Sequence, residues 1–234
     1  MSGNISTNII TDGLIFYVDA ANNKSIISGD TSWNDLTSNN SGTLTNGPTF
    51  DPSNSGSVVF DGTNDYVGFG DILDLGVLSA CMWINCDVYN SGRQFLFGKW
   101  KNASRAYTLV LNQGGTSAGS ITSQVSIDGG STNTGLATFS SAIDANSTWF
   151  NVGFTHDGTS LKTYVNGVLG ATTTIGEAYT SGTSHFAIGT VLFINDTSPL
   201  DPFNGKIANL KIYDRALSSE EIIQNYDSLK NRFK

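Results

Sequence analysis

Short runs of alternating apolar and polar residues recur along the whole chain, separated by clusters of glycine, asparagine, aspartate and serine. Alternation with a period of two predicts β-strands that turn one face to a core, and the separating residues favour turns. The predicted strands are 14–18, 57–60, 66–69, 78–87, 94–100, 107–111, 120–127, 135–139, 149–156, 160–165, 168–174, 185–189 and 206–213. Their number and spacing are typical of an antiparallel sandwich of two sheets.

The segment 149–174 contains the clearest local signal. An Asp-Gly pair at 157–158 and an Asn-Gly pair at 166–167 each lie between alternating runs, and such pairs favour tight hairpin turns. In the first of these strands the even-numbered residues from Phe150 to His156 fall on one face, which we expect to point into the core.

One helix is predicted, near the C-terminal end. Ser218 and Glu221 have the spacing of a capping box, and the apolar residues of 222–229 recur at helical spacing. We expect this helix to cover an end or edge of the sandwich. Asp214 and Arg215 precede it and are expected to tie the last strand to the helix.

Composition narrows the fold class. Glycine, serine, threonine and asparagine together account for 102 of the 234 residues and only 14% of the residues are charged, which excludes a helical bundle. The hydrophobic share of 38% is sufficient for a packed core and argues against disorder. We therefore expect an all-β domain over residues 13–234 with a short C-terminal helix, preceded by an N-terminal arm of residues 1–12.

The net charge and the N-terminal sequence limit the partners and the location that we expect for this protein. The net charge is −8 and the 12 basic residues are scattered, so nucleic acid and anionic membranes are not expected partners. The longest apolar run near the N-terminus, Leu14 to Val18, is too short for a signal peptide or a membrane span, which predicts folding in a cytoplasm. Cys81 and Cys86 are predicted to be buried thiols on opposite faces of one strand, with a metal pair as the alternative.

Four segments follow one another in a recognisable order. They are 57–71 (SVVFDGTNDYVGFGD), 78–88 (LSACMWINCDV), 149–168 (WFNVGFTHDGTSLKTYVNGV) and 203–226 (FNGKIANLKIYDRALSSEEIIQNY). This ordered set resembles the concanavalin A-like lectin/glucanase superfamily, specifically its laminin-G-like and pentraxin-like branch. The resemblance extends over nearly the whole chain from Gly13 onward and implies a jelly-roll β-sandwich.

Two further segments, 13–25 (GLIFYVDAANNKS) and 32–50 (SWNDLTSNNSGTLTNGPTF), resemble a variant of this domain that is frequent in bacteriophage virion proteins. That resemblance implies a virion protein synthesised in the host cytoplasm. Its implied partners are other virion proteins and further copies of the same chain, because such components generally self-associate symmetrically.

The superfamily also includes β-glucanases, which carry the strand motif Glu-x-Asp-x-x-Glu and hydrolyse glycosides with paired carboxyl groups. This chain has three glutamates, Glu177, Glu220 and Glu221, and lacks that motif. It also lacks a nucleophile elbow, a P-loop and a histidine pair at metal spacing. We therefore expect no enzymatic activity.

Calcium is the candidate cofactor, since 17 of the 20 acidic residues are aspartate and calcium prefers carboxylate and carbonyl oxygens from loops. The resemblance to pentraxin-like proteins implies a site formed by Asn102, Asp196 and Asp201, although Lys101 stands where such a site has an acidic residue. A second acidic group lies in loops that laminin-G-like relatives sometimes use to hold one structural calcium, so the resemblance implies a second candidate site there, with ordinary Asx turns as the alternative. That group consists of Asp19, Asn22, Asp35, Asp61 and Asp65.

Sugar binding requires aromatic rings that can stack on a pyranose face, beside hydrogen-bonding groups. The aromatic residues near loops are Trp33, Trp100, Tyr107, Tyr179 and Phe193. Of these, Trp100, Tyr107 and Phe193 are the predicted glycan-binding residues, with an anchoring role in the core or in turns as the alternative.

The first functional hypothesis is a non-enzymatic virion structural protein, serving as a decoration, fibre or adhesin component, with surface glycans as candidate ligands. The alternative is a secreted or surface carbohydrate-binding module of a cell. A degenerate glycoside hydrolase is the third hypothesis.

Overall fold

The computed structural model describes residues 8–38, 40–130, 132–180 and 183–234. Within these ranges the helices are α1 (Ser219–Leu229) and two 3-10 turns, Ser53–Ser55 and Lys230–Phe233. The strands are β1 (Leu14–Asp19), β2 (Ser32–Asn34), β3 (Ser41–Thr45), β4 (Thr49–Asp51), β5 (Ser57–Asp61), β6 (Tyr66–Gly70), β7 (Leu78–Cys86), β8 (Gln94–Lys101), β9 (Ser104–Leu111), β10 (Ile121–Ser126), β11 (Thr134–Phe139), β12 (Trp149–His156), β13 (Ser160–Val165), β14 (Val168–Thr174), β15 (Phe186–Ile188), β16 (Val191–Ile194), β17 (Ser198–Leu200) and β18 (Asn204–Tyr213).

Two antiparallel sheets of eight strands form a sandwich. Sheet A has the order β14-β13-β12-β7-β18-β5-β4, and β1 also pairs with β18. Sheet B has the order β11-β10-β9-β8-β15-β6-β3-β2, and β16 and β17 form a separate hairpin. Strands that are distant in sequence, such as β7 and β18, are hydrogen-bonded neighbours. This arrangement confirms the predicted jelly-roll sandwich with its short C-terminal helix.

The core lies between the two sheets and is rich in phenylalanine. The rings of Phe97 in sheet B and Phe154 in sheet A stack with 6.1 Å between centroids. Phe16 makes edge contacts with Phe69 and Phe186 at 5.0 and 5.5 Å. Such pairs contribute about 0.5–1.5 kcal/mol each beyond the burial of apolar area, so the aromatic core stabilises the packing of one sheet on the other.

All the strands predicted from the sequence are present, with ends that agree within three residues. The Asn-Gly hairpin turn is confirmed, because Asn166 and Gly167 both have positive φ, 51° and 79°, as a two-residue turn of this type requires. The Asp-Gly pair at 157–158 also joins two paired strands, β12 and β13, but it does so in a longer turn in which only Gly158 has positive φ. The prediction missed β2, β3, β4, β16 and β17. These strands have only three to five residues, which is too short for an alternation to be recognised.

Helix α1 packs on the outer face of sheet A and begins as predicted. The Ser218 side chain accepts a hydrogen bond from the Glu221 N–H, and the Glu221 carboxylate accepts one from the Ser218 N–H. Arg215 donates two hydrogen bonds to the same carboxylate, at 2.9 and 2.6 Å, which confirms its role in tying strand to helix. These bonds hold the pKa of Glu221 at about 2. Among the described residues, no helix is both long and apolar enough to cross a membrane.

The two cysteines are free and buried, as predicted, and face opposite sides of sheet A. Cys86 belongs to the core between the sheets, whereas Cys81 packs against the apolar residues beneath α1. Burial raises the pKa of both thiols to about 11, so neither is a thiolate at neutral pH.

Candidate functional site

The β16–β17 hairpin lies on the outer face of sheet B, over β8 and β9. Leu109 and Leu111 of β9 belong to the core, so Val110 between them points to the outer face, where it packs with Val191 of the hairpin. The Thr190 hydroxyl fixes the base of the hairpin, because it donates to the Leu200 carbonyl at 2.9 Å and accepts from the Leu200 N–H at 3.0 Å.

Between this hairpin and the sheet lies a cavity of about 300 Å³, which we call the hairpin pocket. Its lining consists of Arg93, Phe95, Trp100, Arg105, Gln113, Gln124, Phe193 and Leu200. Half of these residues are apolar or aromatic and half are polar or charged, so the cavity suits a ligand that presents both an apolar surface and hydrogen-bonding groups.

Three polar atoms of the hairpin pocket are buried and have no hydrogen-bond partner among the described residues. They are Arg105 Nε, Gln113 Oε1 and Gln124 Nε2. Gln124 is only 5% exposed. An unpaired buried polar group costs about 1–3 kcal/mol, and native proteins satisfy nearly all such groups with protein or ordered water. Their presence in one cavity makes this cavity the candidate site, where ordered water or the polar atoms of a ligand would satisfy them.

Arg105 is the electrostatic centre of the pocket. Its guanidinium carbon lies 5.6 Å from the centroid of the Trp100 ring and 5.4 Å from that of Phe193. Such contacts are attractive and orient the guanidinium plane. Partial burial lowers the pKa of Arg105, but an arginine remains charged at neutral pH.

A second cavity of about 380 Å³ adjoins the first, because Arg93 lines both. We call it the rim cavity, and its lining consists of Gly62, Ser91, Gly92, Arg93, Gln94, Asp201, Pro202 and Asn204. Arg93 Nε is 2.6 Å from Asp201 Oδ2, so the positive charge between the two cavities is already paired.

The predicted glycan-binding residues are divided by the structure. Trp100 and Phe193 both line the hairpin pocket, although nothing in the sequence indicates that they are neighbours. Tyr107 is fully buried in the core and donates its hydroxyl to the Leu73 carbonyl at 2.7 Å. Its ring offers no face to a sugar, which corrects the prediction for this residue. Trp33 is fully buried too, and Tyr179 is 39% exposed.

The predicted calcium residues do not converge on one point. Asn102 and Asp196 lie near each other, because the Asn102 N–H donates to the Phe193 carbonyl at 2.9 Å. Asp196 already binds the Lys101 ammonium at 2.5 Å and the His185 N–H at 3.1 Å. Asp201 follows the opposite end of β17 and pairs with Arg93. This donor set does not fit a calcium ion, since the two carboxylates lie apart and each is already paired with a cationic side chain.

The second acidic group is engaged in turns and ion pairs. Asp19 Oδ1 is 2.7 Å from Arg232, and both oxygens of Asp35 accept hydrogen bonds from neighbouring backbone and side-chain groups. Asp61 accepts from the Thr63 N–H at 2.8 Å, and Asp65 accepts from the Asp61 N–H at 3.1 Å. Among the described residues, no group of three or more His, Cys, Asp or Glu is placed to hold a metal. The geometry of this acidic group is that of Asx turns.

Sequence reasoning missed Arg105, Gln113 and Gln124. The alternation of β10 does place Gln124 opposite the core-facing Val125, so a polar outer face was readable. The burial of Gln124 was not predictable, because the hairpin that covers this face consists of two strands too short to be predicted.

A two-sheet jelly roll with an aromatic and polar pocket on one outer face defines a lectin-like β-sandwich domain. The family model described as concanavalin A-like lectin/glucanases superfamily matches residues 61–223, which is more than half of the chain. The chain therefore belongs to this superfamily. Comparison with curated protein sequences gives no match.

Solved structures with the same fold include binding domains of two kinds. Domain 4 of an extracellular arabinanase from Geobacillus stearothermophilus, in complex with arabinotriose, is 20% identical with a TM-score of 0.68, and the match covers 91% of this chain and 98% of that one. The binding domain of botulinum neurotoxin serotype D is 15% identical with a TM-score of 0.67, covering 92% of this chain and 52% of that one.

A further toxin structure is the binding domain of botulinum neurotoxin DC in complex with rat synaptotagmin II. It is 16% identical with a TM-score of 0.66, and the match covers 93% of this chain and 52% of that one. This chain thus spans about half the length of the toxin domains. At these identities the likeness shows the fold alone.

Proposed function

We propose that this chain is a non-enzymatic glycan-binding domain and that the hairpin pocket is its sugar site. The observation that carries the proposal is the set of three buried, unpartnered polar atoms beside the rings of Trp100 and Phe193. A sugar presents hydroxyl groups around an apolar ring face, so it would satisfy the polar atoms and contact the aromatic wall at the same time.

Each side chain has a distinct role in this proposal. Gln124 Nε2 donates to a sugar oxygen and Gln113 Oε1 accepts from a hydroxyl, which fixes the orientation of the ring. Phe193 is half-buried and supplies the apolar contact surface. Trp100 is 5% exposed and lies behind Arg105, so it acts mainly by holding the guanidinium in place.

The lining of the pocket supports binding rather than hydrolysis. It contains no aspartate or glutamate, whereas glycoside hydrolysis usually requires two carboxyl groups on either side of the bond. Asp201 in the adjacent rim cavity is a single carboxylate and is paired with Arg93. A degenerate hydrolase is therefore the weaker interpretation of this site.

We further propose a bacteriophage virion as the setting, with the domain as a decoration, fibre or adhesin component beside other virion proteins and copies of itself. The support is the resemblance of residues 13–25 and 32–50 to segments of virion proteins. Mass spectrometry and immunogold labelling of purified particles test this setting. A secreted or surface carbohydrate-binding module remains the alternative, and detection of the chain only at a cell surface or in culture medium would favour it.

A glycan array followed by calorimetric titration of the hits tests the sugar site. We expect binding by the wild type and at least a tenfold loss in Gln124→Leu, because Leu has a similar volume but no donor. Gln224→Leu on α1 is the matched control and should bind as the wild type does. Repeating the array with chelator tests the calcium prediction, and equal binding is expected. Absence of binding to any glycan, or equal affinity of the two variants, would refute the proposed site.

A further inference from the structure

We propose that the hairpin pocket selects sugars that carry a carboxylate, and that Arg105 binds this carboxylate. The inference rests on the proposed function and specifies its ligand class. Three observations carry it: the pairing state of Arg105, its orientation, and the charge of its surroundings.

Arg105 differs from the other arginines in its pairing. The chain has four arginines, and three of them are within ion-pair distance of a carboxylate. These pairs are Arg93 with Asp201, Arg215 with Glu221 and Arg232 with Asp19. Among the described residues, the guanidinium of Arg105 has no carboxylate or carbonyl partner, and its Nε is buried and unpaired. Its capacity for a bidentate bond to a carboxylate is therefore unused.

The orientation of Arg105 is fixed without any such bond. Trp100 and Phe193 contact the guanidinium at 5.6 and 5.4 Å between its carbon and the ring centroids. A guanidinium held between aromatic groups loses little conformational freedom when it binds an anion, because it is already oriented. Such preorganisation is expected of a recognition residue and has no evident value for the fold.

The surroundings of Arg105 favour an anion. The lining of the hairpin pocket contains two arginines and no acidic residue, and the second arginine is neutralised by Asp201. The net charge of −8 opposes an anionic ligand only at long range, and salt screens it beyond about 8 Å at physiological ionic strength. Inside a partly buried pocket the contact between Arg105 and a carboxylate is screened much less. The local positive charge therefore outweighs the net negative charge of the chain.

The remaining polar atoms complete the match to an acidic sugar rather than to a simple carboxylate. Gln124 Nε2 and Gln113 Oε1 line the same cavity as Arg105 and have no hydrogen-bond partner in the part of the chain that the structure describes. A donor and an acceptor beside a cation suit a ring that bears hydroxyl groups next to its carboxylate, as in a hexuronic acid. Acetate would engage Arg105 and leave both glutamine atoms unpaired.

Calorimetric or NMR titration with matched sugars tests the inference. The probes are galacturonate, its methyl ester, galactose and acetate, and the same series is run with the gluco sugars. We expect one of the two uronates to bind at least tenfold more tightly than its methyl ester, its neutral sugar and acetate. Its affinity should fall as salt rises, because a charged contact is screened.

Variants assign the preference to Arg105. In Arg105→Gln the uronate should lose its advantage over the ester, while Arg105→Lys should keep part of it. Lys24→Gln removes one exposed positive charge elsewhere and should change nothing beyond twofold. The ratio of acid to ester in the wild type needs no variant, so the inference stays testable even if Arg105→Gln does not fold.

The outcomes separate the two proposals. Equal affinity for acid, ester and neutral sugar, or array hits confined to neutral glycans, would overturn the inference and leave the sugar site intact. Acetate binding as tightly as the uronate would overturn recognition of a sugar acid. Absence of binding by every sugar, neutral or acidic, in titration and on the array would refute the proposed function itself.

Discussion

The two outer faces of the sandwich are covered differently. On sheet A, helix α1 packs against the sheet, and we call this contact region the helix-covered patch. It consists of Ser79, Cys81, Tyr213, Leu217, Ile222 and Asn225. On sheet B, the β16–β17 hairpin covers only part of the face and leaves the hairpin pocket beside it. Both faces bury polar groups, but those of the helix-covered patch pair with one another, whereas three in the hairpin pocket have no partner among the described residues.

In the helix-covered patch the polar groups satisfy one another. Asn225 accepts a hydrogen bond from the Ile10 N–H at 2.9 Å and donates to the Tyr213 hydroxyl at 3.1 Å. The Ser79 hydroxyl donates to the Arg215 carbonyl and accepts from the Leu217 N–H, both at 2.8 Å. Elsewhere on sheet A, Trp83 Nε1 and Asn209 Nδ2 have no partner among the described residues, and Asn209 accepts a hydrogen bond from the buried Lys211. Neither Trp83 nor Asn209 lines the hairpin pocket or the rim cavity.

The comparison supports a structural role for the helix-covered patch and the proposed binding role for the hairpin pocket. A covering element that pairs its polar groups adds stability, whereas one that leaves a donor, an acceptor and a cation unpaired in a cavity sacrifices stability for binding. Removing a polar group should therefore lower stability in the helix-covered patch and lower sugar binding at the hairpin pocket.

The largest expected effect is on the helix-covered patch. Asn225→Leu leaves the Ile10 N–H unpaired and removes one partner of the Tyr213 hydroxyl, while the site stays buried. We expect a loss of about 3 kcal/mol in the free energy of unfolding, because each buried unpaired group costs about 1–3 kcal/mol. Urea denaturation measures this, with Gln224→Leu on the same helix as the control. A loss below about 0.5 kcal/mol would show that the patch does not depend on its internal pairing.

A pH-dependent effect of intermediate size is expected at Lys211, also on the outer side of sheet A. Burial lowers its pKa from 10.5 to about 8, although its Nζ donates to Asn209 Oδ1 at 3.3 Å. Between these two values the unfolded chain binds the proton and the folded protein does not, so the contribution of Lys211 to stability rises with pH. From pH 8 to 9.5 the rise amounts to about 2 kcal/mol.

This rise is measured as the difference between the wild type and Lys211→Met. The buried thiols of Cys81 and Cys86 oppose it in the same range, because their raised pKa values make the folded state less stable as pH increases. The Cys86 contribution is the same in both proteins and cancels in the difference, whereas Cys81 interacts with the Lys211 charge, so both proteins are also measured in a Cys81→Ala background. The free energy gap between wild type and variant should shift in favour of the wild type from pH 8 to 9.5. A constant gap would mean that Lys211 has an ordinary pKa.

The smallest expected effect on stability is at the hairpin pocket. Gln124→Leu removes an unpaired buried amide and adds apolar volume, so the free energy of unfolding should change by less than about 1 kcal/mol, in either direction. The same variant is expected to lose sugar binding. A loss of stability as large as that of Asn225→Leu would contradict the comparison, since it would show that Gln124 has a structural partner.

Much of the fold was predictable because its elements are long or chemically distinct. The strand β12 and its hairpins follow from alternation and from turn residues with positive φ, and the helix follows from the capping box at Ser218. Of the candidate site, Trp100 and Phe193 were predictable as aromatic residues near loops. Tyr107 carried the same local signal, and only its position on the inner face of β9 separates it from them.

The sequence by itself determined the fold class, the positions of the long strands, the helix and the superfamily, because these depend on local patterning and on the order of segments. The tertiary structure decided which side chains come together in the candidate site. Lys101, which interrupts the expected acidic loop, pairs with Asp196 in place of a metal, and Arg105 is left unpaired beside two glutamines from other segments. These contacts depend on which distant loops meet across the outer face of sheet B, and no local sequence pattern predicts which loops will meet.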